Sequence, residues 1–315
     1  MGLEWLSSAR VKPLAGDASN RRYWRLRGVH GERAVRAVYP PGSEQRLARD
    51  VAAFRWLRDR GIHVPKVLDV AVDPPSILLE DLGAEDAEQA LRSTPEAQRP
   101  ARTLVLVAPL VPLAGLEPEA LPPWNRPLDR ARLEEELEDF TTWALGRWLD
   151  RPPTRATRSW LRDLAAELAS HPRRICHRDY HLNNLFFLPG GSVGVIDAQD
   201  VLVGPDTYDA ASFLGERALP ELIPEEARRA WAERWAEATA AEPGWEVRLE
   251  GTTLQRGLKV LGTFARLSLA GKGGYRRWMG PLAERLLAPA RRFRAPSKLL
   301  ENLLDFSTDG GSYVR

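Results

Sequence analysis

The chain has 315 residues, of which 43% are hydrophobic and 28% charged, and this length and apolar content suffice for a sizeable core and two lobes. Its 45 basic and 43 acidic residues leave a net charge of +2 at neutral pH, a balance that argues against nucleic acid as a partner. The single cysteine, Cys176, excludes an internal disulfide and fits a cytoplasmic protein, and the sequence predicts no membrane anchor.

The N-terminal part is predicted to be rich in β-strands. Short runs of strand-forming residues lie between turn residues, and they predict strands over residues 22–27, 34–38, 64–72 and 77–79. A helix is expected over residues 43–60, because its apolar residues recur at helical spacing and the pattern ends at Gly61.

From residue 84 onward the pattern is mainly helical, apart from a proline-rich loop and one short hairpin. We therefore predict a β-rich N-terminal lobe over residues 1–79, a hinge over residues 80–84 and a helical C-terminal lobe over residues 85–315. The nucleotide is assigned to the first lobe, and the catalytic loop and acceptor site to the second.

Residues 177–184 read His-Arg-Asp-Tyr-His-Leu-Asn-Asn, and residues 185–197 follow as two apolar runs around a Pro-Gly-Gly turn, ending in Asp197. Phosphoryl transfer from ATP to a hydroxyl needs a carboxylate that accepts the hydroxyl proton, and oxygen ligands for Mg²⁺. Asp179, Asn184 and Asp197 provide these three groups. The apolar runs should pair as a hairpin that brings Asn184 near Asp197, so that both can bind one ion.

This order of parts resembles the aminoglycoside phosphotransferase family, whose fold is α+β and bilobal, like that of protein kinases. Within that family, four blocks look most like the bacterial N-acetylmuramate/N-acetylglucosamine anomeric kinases: residues 14–26, 177–185, 204–214 and 254–278. The resemblance spans nearly the whole chain. It implies an ATP- and Mg²⁺-dependent kinase that phosphorylates the anomeric hydroxyl of an amino sugar in cell-wall sugar salvage.

The resemblance also implies roles for single residues. Asp179 would be the base, and Asn184 and Asp197 the Mg²⁺ ligands. A loop of small residues would cover the ATP phosphates with its backbone N–H groups: Gly16, Asp17, Ala18 and Ser19. Glu80 and Leu82 belong to the hinge, whose backbone groups would bind the adenine edge.

One feature departs from the kinase-like pattern. Such folds hold the α- and β-phosphates with a lysine on a central strand, but no lysine stands between Lys12 and Lys66. Arg36 is the candidate substitute, because it alternates with apolar neighbours as an inward-facing strand residue does, and Asp50 on the next helix could pair with it. A solvent-facing arginine would give the same pattern.

The candidate acceptor-binding residues are His181, Asp200, Arg266 and Arg276. Basic residues recur near the C-terminus and suit an acidic sugar, since arginine can bind a carboxylate with two hydrogen bonds: Arg256, Lys259, Arg266, Lys272, Arg276 and Arg277. A solvated helix face is the other interpretation. His177 and Asp209 are expected to support the loop structurally.

Two other functions remain open. One is a phosphotransferase for aminoglycosides or other small alcohols, which the charge of the acceptor site would distinguish. The other is a nucleotide-binding pseudokinase scaffold, prompted by the missing lysine, although intact Asp179, Asn184 and Asp197 argue against it. A protein kinase is excluded because no lysine closely follows Asp179 and no Phe-Gly follows Asp197.

Overall fold

The computed structural model describes residues 4–14 and 21–308, with side chains described as far as residue 306. The chain divides into two compact units. The first unit comprises Met1–Leu113 and Leu182–Val201, and the second comprises Ala114–His181 and Leu202–Arg315. The loop with the predicted catalytic residues therefore begins in the second unit and ends in the first.

The strands and helices have the following bounds. The strands are β1 (Arg10–Leu14), β2 (Arg22–Arg27), β3 (Arg33–Val38), β4 (Val67–Val72), β5 (Pro75–Glu80), β6 (Arg173–Cys176), β7 (Leu185–Phe187), β8 (Val193–Val195) and β9 (Leu202–Pro205). The α-helices are α1 (Glu44–Asp59), α2 (Ala87–Arg92), α3 (Arg99–Leu104), α4 (Leu110–Ala114), α5 (Arg130–Asp139), α6 (Arg155–Ala169), α7 (Tyr208–Leu214), α8 (Leu219–Leu222), α9 (Glu225–Ala238), α10 (Trp245–Leu269), α11 (Met279–Arg292) and α12 (Ser297–Thr308). A π-helical segment, Phe140–Trp148, continues α5.

The first unit is built on a five-stranded antiparallel sheet with the order β1-β2-β3-β5-β4. Each of the four strands predicted in this region is present. The edge strand β1 was not predicted, because it is mostly exposed and contains Pro13, and proline is tolerated only where a strand leaves one side unbonded. The predicted helix over residues 43–60 is α1, which buries Val51, Phe54 and Leu57.

The predicted hairpin is also present in the first unit. Leu185 in β7 pairs with Val195 in β8, and the Val195 N–H donates to the His63 carbonyl at 2.9 Å. Gly194 permits close packing here, since an added Cβ would lie 2.7 Å from Leu82 Cδ1. The hairpin is thus anchored to the segment before β4 and to the segment after β5.

The compact units divide the chain elsewhere than the predicted hinge. Helix α2 packs on β7 and on the 3₁₀ turn Leu182–Asn184, and the Asn183 amide donates to Asp86 and Glu88 at 3.1 Å. Residues beyond the predicted hinge, as far as Leu113, therefore belong to the unit that contains the sheet. The assignment of nucleotide and acceptor roles to the two parts stays a prediction.

The second unit is mainly helical. Its longest helix, α10, packs on α5, α6, α7, α11 and the π-helical segment, and its core is formed by leucine, alanine and aromatic side chains of these elements. The two-stranded sheet of β6 and β9 pairs Cys176 with Leu202, and Cys176 is buried as a free thiol. A β-rich part and a larger helical part confirm the predicted α+β class. Among the residues described, no helix is long and apolar enough to cross a membrane.

At Gly262, α10 lies close to a neighbouring backbone, because a Cβ there would lie 2.4 Å from backbone atoms of Asp139 and Phe140. Alanine normally stabilises a helix relative to glycine. We expect Gly262→Ala to do the opposite and to lower the free energy of unfolding by about 1–3 kcal/mol, since neither backbone can yield. Urea denaturation measures this. Gly273→Ala is the control, because nothing lies within 4 Å of its Cβ position, and equal stability of the two variants would contradict the expected clash.

Candidate active site

The start of the loop with the predicted catalytic residues is held by one buried carboxylate of the second unit. Asp209, in the first turn of α7, accepts the His177 N–H at 2.7 Å and the Arg178 N–H at 2.8 Å. On the other side, the Arg256 guanidinium donates to the Arg178 carbonyl at 3.1 Å. Held by these contacts, Arg178 adopts a left-handed conformation with φ of 83°. The backbone hydrogen bonding expected of Asp209 is present.

Asp179 directly follows this constrained residue and lies among positive charges. Burial by itself raises the pKa of the Asp179 carboxyl, but Arg256, Lys259 and Arg178, followed by His181, outweigh burial and hold the pKa below its usual value. The side chain is consequently an ionised carboxylate at neutral pH. Such a group can accept a hydrogen bond from a hydroxyl and later accept its proton.

A second carboxylate, Glu136 on α5, organises the same cations. Its Oε1 is 2.7 Å from Lys259 Nζ and 3.6 Å from Arg178 Nη2. Its Oε2 accepts from the Tyr208 hydroxyl at 3.2 Å and the Gln255 amide at 3.4 Å. Burial raises the pKa of Glu136, yet the charge and hydrogen bond of Lys259, together with the charges of Arg178 and Arg256, more than offset burial, so the pKa is lowered. We call Glu136, Arg178, Asp179, Arg256 and Lys259 the Glu136 cluster.

The two predicted metal ligands lie at one end of the β7–β8 hairpin in the first unit. The Ile196 N–H donates to the Asn184 carbonyl at 2.9 Å, which places Asn184 beside the residue that precedes Asp197. Asn184 is buried, whereas the Asp197 side chain is 44% exposed on a left-handed backbone with φ of 60°. An amide and a carboxylate oxygen are hard ligands that suit Mg²⁺, which takes its other ligands from phosphates and water.

The carboxylate of Asp197 faces a buried cation, Arg21. Arg21 Nη2 is 3.7 Å from Asp197 Oδ1, and Arg21 Nη1 is 3.3 Å from Asp50 Oδ2, with only 6% of the arginine side chain exposed. The Tyr39 hydroxyl also donates to Asp50, at 2.9 Å. Across the parts of the chain that the structure describes, no cluster of three or more His, Cys, Asp or Glu could hold a metal.

The predicted pair of Arg36 and Asp50 is wrong. Arg36 is exposed and lies opposite Trp24 and Leu78 in the sheet, so these three side chains share one face. Tyr39, which binds Asp50, follows three positions later along the chain and therefore points to the other face. Asp50 pairs with Arg21 instead.

The predicted hinge is braced by side chains of the first unit. Arg25 Nε is 3.0 Å from the buried Asp81 carboxylate, and Arg25 also donates to the Gly83 carbonyl at 2.6 Å. The Glu80 carboxylate accepts from Arg58 and from the backbone of Lys66. Glu80 thus has structural partners for its side chain.

The remaining nucleotide-loop candidates, Gly16, Asp17, Ala18 and Ser19, lie outside the described residues. Leu82 packs against Gly194. Asp200 is half-buried in the 3₁₀ turn Ala198–Asp200, which packs on α1.

The acceptor candidates of the second unit are dispersed. Arg266 Nη2 is 3.3 Å from the Asp139 carboxylate, with both side chains partly exposed. Arg276 is exposed, and its guanidinium lies 5.8 Å from the centre of the Trp148 ring. Neither arginine is among the cations that lower the pKa of Asp179.

The two histidines of the predicted catalytic loop, His177 and His181, contact residues of the second unit. His181 Nδ1 is 3.8 Å from the Glu216 carboxylate, and His177 is buried with its ring edge-on to Tyr180 at 6.0 Å. His181 is one of the groups that lower the pKa of Asp179, so it stays a candidate for the acceptor site.

Sequence reasoning missed Arg21 and Glu136. Arg21 stands next to another arginine just before β2, and no local pattern separates a buried arginine from a surface one. Glu136 belongs to a run of three glutamates, residues 134–136, which is typical of a solvated helix face. Only the packing of α5 against α10 shows that one of the three is enclosed with cations.

A family model described as "Phosphotransferase enzyme family" matches residues 10–250. The chain belongs to this phosphotransferase family. The match covers β1 to the start of α10 and includes Asp179, Asn184 and Asp197. The predicted family resemblance is thereby confirmed.

Two relatives of this phosphotransferase chain are both named N-acetylmuramate/N-acetylglucosamine kinase. The protein from Pseudomonas aeruginosa strain PAO1 is 34% identical over 273 residues, which cover 82% of this chain and 77% of the relative. The protein from Neisseria meningitidis serogroup B strain MC58 is 29% identical over 307 residues, covering 94% and 90%.

The fold agrees with that of solved phosphotransferases. A choline/ethanolamine kinase family protein from Mesorhizobium loti superposes with a TM-score of 0.62 at 16% sequence identity, covering 96% of this chain and 94% of its own. At this identity the likeness concerns the fold alone. It confirms the predicted kinase-like architecture.

We expect Asp209→Asn to destabilise the protein by about 1–3 kcal/mol, because one amide oxygen cannot replace two carboxylate oxygens that each accept a buried N–H. Urea denaturation measures the change. Asp163→Asn, at an exposed position of α6, is the matched control. If both variants unfold at the same urea concentration, the loop does not depend on Asp209.

Proposed function

We propose that the protein is a kinase that transfers the γ-phosphoryl group of Mg²⁺–ATP to the anomeric hydroxyl of N-acetylmuramate or N-acetylglucosamine. The observation that carries this proposal is the ionised Asp179 carboxylate. It directly follows the constrained residue Arg178, and the charges of Arg178, Arg256 and Lys259 act on it. Membership of a phosphotransferase family and two relatives named for these sugars support it. We place the reaction in the cytoplasm, where ATP is available, as a step of cell-wall sugar salvage.

Asp179 acts as the base in this proposal. In phosphoryl transfer the hydroxyl proton leaves late, and the catalyst contributes mainly position and charge. A carboxylate whose pKa is lowered is a weak base, but it is fully ionised and fixed in position, which is what a late proton transfer requires. The bonds from Asp209 to the two preceding residues provide the fixed position.

Asn184 and Asp197 would hold Mg²⁺ in this proposal, and Arg21 would contact the phosphates. When bound, the metal neutralises charge that develops on the transferred group and the leaving oxygen. Arg21 is buried against Asp50 and turned toward Asp197, so it supplies the fixed cation that Arg36 was expected to supply. A guanidinium suits this task, because its N–H groups match two phosphate oxygens at once.

The charge around Asp179 bears on the choice of acceptor. Aminoglycosides are polycations and would be repelled by three positive side chains beside the base. N-Acetylglucosamine is neutral and N-acetylmuramate carries a carboxylate, so both are compatible with that charge. An aminoglycoside phosphotransferase is accordingly the less favoured function.

A catalytically inactive scaffold is less favoured for a different reason. That alternative arose because no lysine stands between Lys12 and Lys66, yet Arg21 occupies a buried position beside both Asp50 and Asp197. The charges needed for nucleotide phosphates and metal are thus available among the described residues.

The first experiment measures phosphate transfer from Mg²⁺–ATP to N-acetylmuramate, N-acetylglucosamine, kanamycin and simple alcohols by mass spectrometry. We expect transfer to the two amino sugars, and a loss of about 100-fold or more in Asp179→Asn, because the amide cannot accept the proton. The variant should keep the wild-type affinity for Mg²⁺–ATP, measured by calorimetry.

Exposed Asp163→Asn serves as the control for an aspartate-to-asparagine change elsewhere in the same unit. Transfer to kanamycin alone would replace the sugar by an aminoglycoside as the acceptor. Bound ATP without transfer to any acceptor would favour the scaffold, and undiminished turnover in Asp179→Asn would remove Asp179 from the base role.

Arg21→Met should weaken Mg²⁺–ATP binding by about tenfold or more, since a charge-assisted hydrogen bond to phosphate is lost, whereas adenosine should bind as before. Arg36→Met is the matched control, because Arg36 is exposed on the sheet face opposite to Asp50. Calorimetric titration with both ligands measures these affinities. Arg21→Lys keeps the charge beside buried Asp50 and should recover part of the loss. Equal ATP affinity in Arg21→Met and Arg36→Met would exclude a phosphate contact by Arg21.

A further inference from the structure

The Glu136 cluster has an uneven distribution of charge between its interior and its surface. Its carboxylate Glu136 is 8% exposed, while its partners Lys259 and Arg178 are 20% and 24% exposed. The cluster contains three cations and two carboxylates. Arg132 and Asp209 at the edges of the cluster carry one charge of each sign, so the net charge of the group stays positive when they are included. The part of the cluster that solvent reaches is therefore cationic.

Lys259 can bind a second anion without leaving Glu136. Its ammonium group has three N–H donors, and Glu136 Oε1 at 2.7 Å uses one of them. Glu136 does not depend on Lys259 alone, because its Oε2 accepts from Tyr208 and Gln255. The carboxylate is thus a fixed anchor that holds the lysine at the edge of the cluster.

Arg178 is held in a conformation that arginine rarely adopts. Its φ of 83° costs about 1–3 kcal/mol for a residue with a side chain, whereas glycine would adopt it without strain. Asp209 and Arg256 fix the Arg178 backbone from both sides, and the guanidinium points to the same oxygen of Glu136 as Lys259 does. This placement brings two partly exposed cations of the cluster together.

Both cations also lie close to the base. Arg178 precedes Asp179 in the chain, and Arg178 and Lys259 are both near enough to act on its charge. An acceptor whose hydroxyl is bound by Asp179 would therefore bring its neighbouring substituents to Lys259 and Arg178. An anionic substituent would gain from these cations, and a neutral one would not.

We propose that Lys259 and Arg178 bind a carboxylate of the acceptor and so determine the preference between acidic and neutral amino sugars. The inference rests on the proposed kinase function and deepens it. N-Acetylmuramate and N-acetylglucosamine are suitable probes, because they differ only by the lactyl ether that carries the carboxylate. The arginines Arg266 and Arg276, which were expected to bind the acceptor, have no part in this preference.

The test compares kcat/KM for the two sugars at saturating Mg²⁺–ATP in the wild type, Lys259→Met and Arg178→Gly. We expect the ratio of N-acetylmuramate to N-acetylglucosamine to fall about tenfold or more in each variant, as loss of a hydrogen bond to a charged group predicts. The fall in this ratio should come from a lower kcat/KM for N-acetylmuramate. Lys298→Met is the matched control, since Lys298 also pairs with a glutamate at 2.9 Å but on the exposed surface of α12, and its ratio should equal that of the wild type.

The two variants differ in their structural risk. Lys259→Met removes the nearest cation from Glu136 and lowers stability, whereas Arg178→Gly removes a more distant cation but relieves the left-handed strain, so it should unfold near the wild-type temperature. A ratio that stays at the wild-type value in folded Arg178→Gly and Lys259→Met overturns the inference while the kinase function stands. A wild type that does not prefer the acidic sugar overturns it as well, and transfer to neither sugar overturns the kinase function together with the inference.

Discussion

The path of the loop that carries the proposed base depends on the buried carboxylate of Asp209. Its two oxygens accept the backbone N–H groups of His177 and Arg178, and interior N–H groups that lose such partners destabilise a fold strongly. These bonds also hold Arg178 in the left-handed region, which a chain enters only under constraint. Asp179 is the next residue, so a side chain of α7 positions the proposed base without any contact to it being required.

The Glu136 cluster joins two requirements that oppose one another. A base functions better when its pKa is high, but the cations proposed to bind an acidic acceptor lower the pKa of Asp179, the proposed base. Phosphoryl transfer tolerates this conflict, because the proton is transferred late and base strength matters less than position. Glu136 moderates the excess positive charge and holds Lys259 in place. We infer that the same few side chains set both the ionisation of the base and the type of acceptor.

In the first unit, the alternation of strand residues decides which cation becomes buried. Arg36 has the sequence context expected of a phosphate-binding residue, but its register with Trp24 and Leu78 turns it away from Asp50, and its side chain is exposed. Arg21 lies just before the neighbouring strand β2 and reaches Asp50 and Asp197. A cation that is buried between two carboxylates is held in one position, which is of use for binding phosphates. An exposed arginine would have to be ordered when the nucleotide binds.

Much of the architecture could be predicted from local patterns. The strands of the sheet except β1, the helix α1 and the β7–β8 hairpin follow from apolar spacing and turn residues, and the hairpin brings Asn184 next to the residue before Asp197. The family resemblance follows from contiguous motifs, and the proposed roles of Asp179, Asn184 and Asp197 rest on them.

The sequence by itself determined the class of chemistry and the kinase-like fold, because both are encoded in short segments whose residues act on their neighbours in the chain. The partners of the charged side chains were decided by the tertiary structure alone. Arg21 meets Asp50 and Glu136 meets Lys259 across separations of 29 and 123 residues. The reason is physical: whether a charge is buried, and beside which other charge, depends on how helices and strands pack, and an arginine or glutamate in a local pattern looks the same on either face.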